Sequence, residues 1–194
     1  MPLPILSVAQ VRDWEKRTWD AGIAGETVIE QAGQAVGRLA TQVTQSADSI
    51  LLLIGKGNNG SDARVAARHL GDRKVAVLEV VDPVEDLDAL KYHLGENPVL
   101  VVDGLFGIGL NRDLDKHWQQ FIQCINESDA PVLSVDCPSG LDADNGQARG
   151  AVIEAAITLC LGCLKPGLLA NSAAHCVGRL RIASRIGLKD PAPE

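Results

Sequence analysis

Ser49-Ile50-Leu51-Leu52-Leu53-Ile54-Gly55-Lys56-Gly57-Asn58-Asn59-Gly60-Ser61-Asp62 is the stretch that decides how the rest of the chain is read. Five aliphatic residues run without a polar interruption, and three glycines follow within six positions. An unbroken aliphatic run predicts a strand covered on both faces, as in a parallel sheet, and the glycines predict a tight exit into a helix. Five further runs repeat the pattern at 74–80, 99–102, 132–135, 156–161 and 178–183. Helical stretches lie between the early ones at 62–70, 85–94 and 117–125. This alternation predicts a three-layer α/β domain with helices on both sides of a mainly parallel central sheet.

Working outward, two helices precede the first strand. Ser7 and Gln10 form a capping box ahead of Val8, Val11 and Trp14. Thr27 with Glu30 is expected to cap a longer helix whose apolar stripe is Val28, Ile29, Ala32, Val36, Leu39 and Val43. Its small residues Ala32, Gly33, Ala35 and Gly37 would admit another backbone at close range. Residues 191–194 read as a frayed tail, and 1–194 as a single domain.

Composition narrows the function. Eighteen basic against 25 acidic residues leave a charge of −7, and only six residues are aromatic. That combination argues against nucleic acid, which calls for a basic surface with stacking platforms. The longest apolar run, 155–164, is half of what a bilayer span of ~20 residues requires, and the first residues lack a signal-peptide pattern. Five cysteines, an odd number in a chain too large to need staples, point to free thiols. The expectation is a cytoplasmic protein with no membrane partner.

Ligands in such folds bind beyond the carboxyl ends of the strands, and three of those ends carry chemistry. The first contains G-x-G-x-x-G, with Glu79 placed 19 residues past Gly60. That fits a nicotinamide dehydrogenase formally, but Asp62 in the first turn of the helix would repel a bare pyrophosphate. Asn58 and Asn59 offer carbonyl oxygens and amide donors together, which suits a loop holding a hard cation and a polar ligand. A tight turn without a ligand is the remaining alternative. At the second end, Asp103 follows an apolar run and needs a partner if buried. Gly104, Gly107 and Gly109 permit close approach, and Arg112 can reach a phosphate. At the third end, Asp136-Cys137-Pro138-Ser139-Gly140-Leu141-Asp142 packs an acid and a hydroxyl into a stiffened turn. Asp136 could serve as general acid or base, and Ser139 as an oxygen ligand.

Together these three loops resemble the NAD(P)H-hydrate epimerase family, the YjeF N-terminal domain. Its pattern runs G-x-G-N-N-G-G-D-G, then V-V-D-x-x-F-G-x-G, then V-D-x-P-S-G-x-D, in the order found here at 55–62, 101–109 and 135–142. Glu30-Gln31-Ala32-Gly33 and Lys165-Pro166-Gly167 also match family positions. The resemblance implies a Rossmann-like αβα sandwich that interconverts the R and S forms of hydrated NADH and NADPH. It implies potassium as cofactor, held by Asn59, Asp103 and Ser139. It implies a substrate site formed by Asn58, Asn59, Gly60, Ser61 and Asp62 in the first loop. Gly107, Ile108, Gly109, Leu110, Asn111, Arg112 and Asp113 come from the second loop, and Asp136 from the third. Asp136 is the expected catalytic acid or base. A separate dehydratase is the expected pathway partner, since the sequence ends without the dehydratase-like domain fused to many relatives, and a homodimer is the assembly considered.

Ser61 and Ala63 stand where the family has glycine, and Ser61 could narrow the pocket or add a hydrogen bond. Cys160-Leu161-Gly162-Cys163, with His175 and Cys176 beyond, has the spacing of half a zinc site. Strand positions three apart point to opposite faces, so buried thiols are expected instead. Cys137 reads as packing, Arg64 and Arg68 as a solvated helix face, and His69, His93 and His117 as surface residues. Two other functions fit the same fold: a non-catalytic binding or scaffold module, and an ordinary NAD-dependent oxidoreductase.

Overall fold

The computed structural model describes residues 4–189; the tail read at 191–194 lies outside the described residues. Helices α1 (Val8–Asp20) and α2 (Gly25–Val43) come first, followed by β1 (Ser49–Ile54), α3 (Asn58–Ala66), β2 (Lys74–Glu79) and α4 (Leu87–Gly95). Then come β3 (Leu100–Gly104), α5 (Lys116–Asn126), β4 (Val132–Val135), β5 (Ile157–Leu161) and β6 (Arg179–Ala183). The six strands form one sheet in the order β2-β1-β3-β4-β5-β6, and every strand pairing is parallel.

The aliphatic run of β1 divides by strand period, as its composition demands. Ile50, Leu52 and Ile54 pack with Ala32, Val36 and Ala40 of α2 and with Ala63 and Ala66 of α3. Leu51 and Leu53 face the other way, onto Leu90 of α4 and Phe121, Ile122 and Ile125 of α5. The three layers follow directly. Burial on both faces holds for β1, β3, β4 and β5, whereas the edge strand β2 is mostly exposed and the edge strand β6 is partly buried.

Two helix starts depart from expectation. The α1 capping box forms as read, with Ser7 Oγ accepting from Gln10 N at 3.3 Å and Gln10 Oε1 accepting from Ser7 N at 2.9 Å. Helix α2, however, begins at Gly25 behind an extended Ala24 with no side-chain cap. Glu30 is spent elsewhere: it accepts from Arg68 at 2.6 Å and meets His69 Nε2 at 3.0 Å. His69 is therefore a half-buried partner of α2, and Arg64 and Arg68 are ion-paired, to Glu79 and Glu30 respectively. Helix α3 begins at Asn58, four residues before the predicted start, so Asp62 sits in its second turn.

The small residues of α2 admit α3, as expected. A Cβ on Gly33 would fall 2.4 Å from Val65 Cβ. The loop after β1 is equally tight: a Cβ on Gly60 would meet Gly55 O at 1.9 Å, and one on Gly55 would meet Leu105 O at 2.0 Å. Gly57 has open space around it. The outer glycines of the fingerprint thus serve backbone packing, and the middle one faces the cavity described next.

Candidate active site

The sheet order reverses between β1 and β3, the point where open α/β sheets bind ligands. A cavity of about 740 Å³ opens there. Its walls include Asn58, Asn59 and Asp62 from α3, the segment 105–112 after β3, and Asp136 after β4. From the predicted substrate site, Gly107, Ile108, Gly109, Leu110, Asn111 and Arg112 line it. Gly60, Ser61 and Asp113 do not. Gly60 is buried against Gly55, Ser61 Oγ turns back to Gly57 O at 3.5 Å, and Asp113 lies 3.8 Å from Arg149. The other wall comes from further away in sequence: Val11, Arg12, Glu15 and Trp19 of α1, and Val28, Ile29 and Ala32 of α2.

Beneath the loop after β3 lies a polar hub. Asp103 is fully buried, and its carboxylate accepts four hydrogen bonds. Oδ1 takes Ser139 Oγ at 2.5 Å and Leu105 N at 3.2 Å; Oδ2 takes Ser134 Oγ at 2.8 Å and Ser139 N at 2.9 Å. Ser139 Oγ also accepts from Phe106 N at 2.8 Å, and Asn59 Nδ2 donates to Phe106 O at 2.9 Å. Asn59, Asp103 and Ser139 are thereby drawn together around one backbone unit. No described basic side chain pairs with Asp103, and burial pushes its carboxyl up against the pull of its donors. A buried carboxylate answered only by neutral groups is costly. Adding a cation to this all-oxygen set would compensate its one negative charge, so the residues fit a hard monovalent ion.

Asp136 is held quite differently. Its backbone adopts φ +64, uncommon outside glycine. Asp136 N donates to Leu159 O at 2.8 Å, tying the turn to β5. Oδ1 accepts Leu161 N at 3.0 Å and an ion-pairing bond from Lys165 Nζ. Lys165 is fully buried and also donates to Leu161 O at 3.1 Å. Burial would lower its ammonium, but Asp136 together with the neighbouring Cys163 and Cys160 leaves it raised. Asp136 Oδ2 accepts no hydrogen bond from a described residue, and the side chain lines the cavity. Two further acids share this wall. Burial pushes Asp62 up to about 8, with Asp136 and Glu15 adding to the shift. Glu15 is itself raised, by burial first and Asp136 second. Such clusters of perturbed acids mark functional sites.

The family model described as YjeF-related protein N-terminus matches residues 25–88 and 77–167. The chain belongs to that family. An NAD(P)H-hydrate epimerase of Achromobacter xylosoxidans is 37% identical over 80% of this chain and 82% of its own length. A bifunctional NAD(P)H-hydrate repair enzyme of Leishmania braziliensis is 34% identical over 96% of this chain, which spans 37% of that relative. The crystal structure of the yeast protein ynu0 superposes with a TM-score of 0.69 at 21% identity, covering 86% of this chain and 84% of that one. That likeness supports the fold.

In this YjeF-related chain the family's Lys-Pro-Gly turn carries a residue that sequence reading overlooked. Lys165 was legible as a lone charge after a buried run, Cys160 to Cys163, where only a paired ammonium is tolerable. Arg12 and Glu15, one helical turn apart, gave no comparable signal, because nothing local tells which face of α1 covers a pocket. Of the departures from the family loop, Ala63 is buried against β3, where a Cβ on Gly104 would meet its own at 2.5 Å. Cys160 and Cys163 are buried in different side-chain clusters, with Leu168 and Cys176 around the first and Leu6, Val11 and Trp14 around the second. Cys137 is likewise buried. Among the described residues, no helix is long and apolar enough to cross a membrane.

Proposed function

We propose that this chain is an epimerase that interconverts the R and S forms of hydrated NADH and NADPH, returning damaged nicotinamide cofactor to use. The observation that carries the reading is the cavity-lining Asp136 ion-paired to buried Lys165 at the switch point of the sheet. The names of the epimerase and repair-enzyme relatives support it.

Hydrated nicotinamide bears a hydroxyl on the carbon beside the ring nitrogen. Inverting that carbon means opening the hemiaminal or losing and regaining water, and either requires proton transfer without a change of oxidation state. Asp136 suits the base. Lys165 offsets its charge through Oδ1, leaving Oδ2 without a donor among the described residues, and the side chain lines the cavity. The exposed cations Arg12, Lys56 and Arg112 line the same cavity and suit the pyrophosphate and the 2′-phosphate. Asn59, Asp103 and Ser139 would hold potassium. When bound, that ion would supply the positive charge the buried carboxylate lacks. A separate dehydratase would then consume the corrected epimer.

The test is to give the purified protein the epimer that a dehydratase cannot use, together with a separate dehydratase, and to follow the return of reduced cofactor. Faster return than with dehydratase alone supports the reading. Binding of hydrated cofactor without acceleration would instead make the chain a binding module.

A further inference from the structure

We propose that Asp62 is the acid that works opposite Asp136, giving up a proton while Asp136 takes one. The proposal rests on the epimerase reading and adds a second reacting group to it.

The distinction of Asp62 is its isolation. Asp103 has four donors, Asp136 has Lys165, and the buried Asp142 has Arg149 at 2.5 Å. Asp62 is equally buried and lines the cavity, yet it accepts no hydrogen bond and forms no ion pair with any described residue. Burial, with the neighbouring carboxylates of Asp136 and Glu15, favours its neutral form. Helix α2 presents apolar Val28, Ile29 and Ala32. Helix α1 presents Glu15, with Arg12 beyond it, and the turn after β4 presents Asp136 with its Lys165 partner. Lys56 and Arg112 lie on the exposed rim of the same cavity. The result is a carboxyl pushed up to about 8, a proton carrier at neutral pH. An uncharged carboxyl beside an ion-paired carboxylate in one pocket offers a proton donor and a proton acceptor.

The proton balance then closes. Asp136 takes the hydroxyl proton as the carbon–nitrogen bond breaks and the carbon becomes an aldehyde. The bonding pair goes to the ring nitrogen, which receives the Asp62 proton. Rotation of the freed aldehyde presents its other face. The nitrogen pair then attacks that face, the nitrogen proton returns to Asp62, and Asp136 gives its proton back to the oxygen. No atom or electron is gained or lost.

The experiment compares the unmutated protein with Asp62→Asn across pH 6 to 9.5 in the dehydratase-coupled assay, with calorimetric binding of hydrated cofactor alongside. Turnover of the unmutated protein should decline above about pH 8, about tenfold per pH unit. Asp62→Asn should lose about a hundred- to ten-thousand-fold in turnover, and what remains should lack that alkaline decline, with affinity kept within about threefold. Difference infrared spectra supply a readout independent of turnover: a protonated-carboxyl band present at pH 7, lost on raising the pH through about 8, and missing from Asp62→Asn. Near-normal turnover with the alkaline decline intact in Asp62→Asn would overturn the acid role alone, as would a loss confined to binding or the absence of that band. An unmutated protein that binds but never epimerises would overturn the functional reading itself.

Discussion

Asp103 and Asp136 stand at the ends of neighbouring strands, and both are buried, yet the chain surrounds them in opposite ways. Asp103 uses both oxygens on neutral donors and has no charged partner among the described residues. Asp136 commits one oxygen to Lys165 and Leu161 N and keeps the other for the cavity. The first arrangement positions a loop and leaves a net charge to be compensated. The second neutralises the charge while leaving a lone pair free to take a proton. An Asn substitution separates the two roles, because its Nδ2 can occupy the free side of Asp136 but must confront a donor wherever it lies at Asp103.

The largest effect expected is at Asp136. Asp136→Asn removes the proton chemistry and preserves shape, so epimerisation should fall about a hundred- to ten-thousand-fold while hydrated cofactor still binds by calorimetry. Undiminished turnover would remove the base from Asp136 and erase the contrast with Asp103.

Next comes the partner. Lys165→Met leaves the Asp136 carboxylate buried without its cation, and breaking such a pair costs about 3–5 kcal/mol. Urea unfolding should register that loss, and the double variant Lys165→Met/Asp136→Asn should recover part of it. A single variant as stable as the unmutated protein would mean that water already carries the charge.

Asp62 predicts a pH dependence of opposite sign to that of ordinary paired acids. Its carboxyl ionises near 3.8 when exposed and near 8 when folded, so between those values the native state holds the extra proton. Stability from this group is therefore full below about pH 4 and declines up to about pH 8. Asp62→Asn should be more stable than the unmutated protein at pH 8 by on the order of a few kcal/mol, with the gain vanishing towards pH 4. Equal unfolding midpoints at both pH values would show that Asp62 is not desolvated.

Asp103→Asn should act more mildly on chemistry and more broadly on the site. Two of the four donors would face an amide instead of an oxygen, costing about 1–3 kcal/mol. Potassium dependence and cofactor affinity should weaken together in titrations of the variant. Loss of turnover with both titrations unchanged would place Asp103 beside Asp136 as a proton-transfer group.

The same contrast explains how much was legible beforehand. Strand ends follow aliphatic runs, so β4 at Val132–Val135 and the loop carrying Asp136 were placed from the sequence alone. The family pattern groups Asp103, Asn59 and Ser139, but their convergence on Phe106 joins three separate strand ends and no local spacing reports it. The sequence predicts α3 only from residue 62, because asparagines and glycines read as loop, whereas the helix begins at Asn58. Here Gly57 occupies the extended N-cap and Gly60 fits against Gly55. Glu15 and Arg12 are hidden for a different reason: they reach the cavity from the first helix, and no local periodicity reports that meeting, whereas Lys165 is marked only as a lone charge after a buried run.

The smallest effect should be at Ser61, the residue that departs from the family loop within the first turn and a half of α3. Its hydroxyl makes one long bond to Gly57 O at 3.5 Å, and its side chain does not line the cavity. Restoring glycine therefore removes no wall of the site, so turnover and affinity should stay within about twofold. The cost should fall on the helix, where glycine is less favourable than serine by about half a kcal/mol. Thermal unfolding should show a decrease of that order with the coupled assay unchanged. A large change in affinity for hydrated cofactor would mean that the start of α3 moves when ligand enters, bringing Ser61 to the same pocket as Asp62 and Asp136.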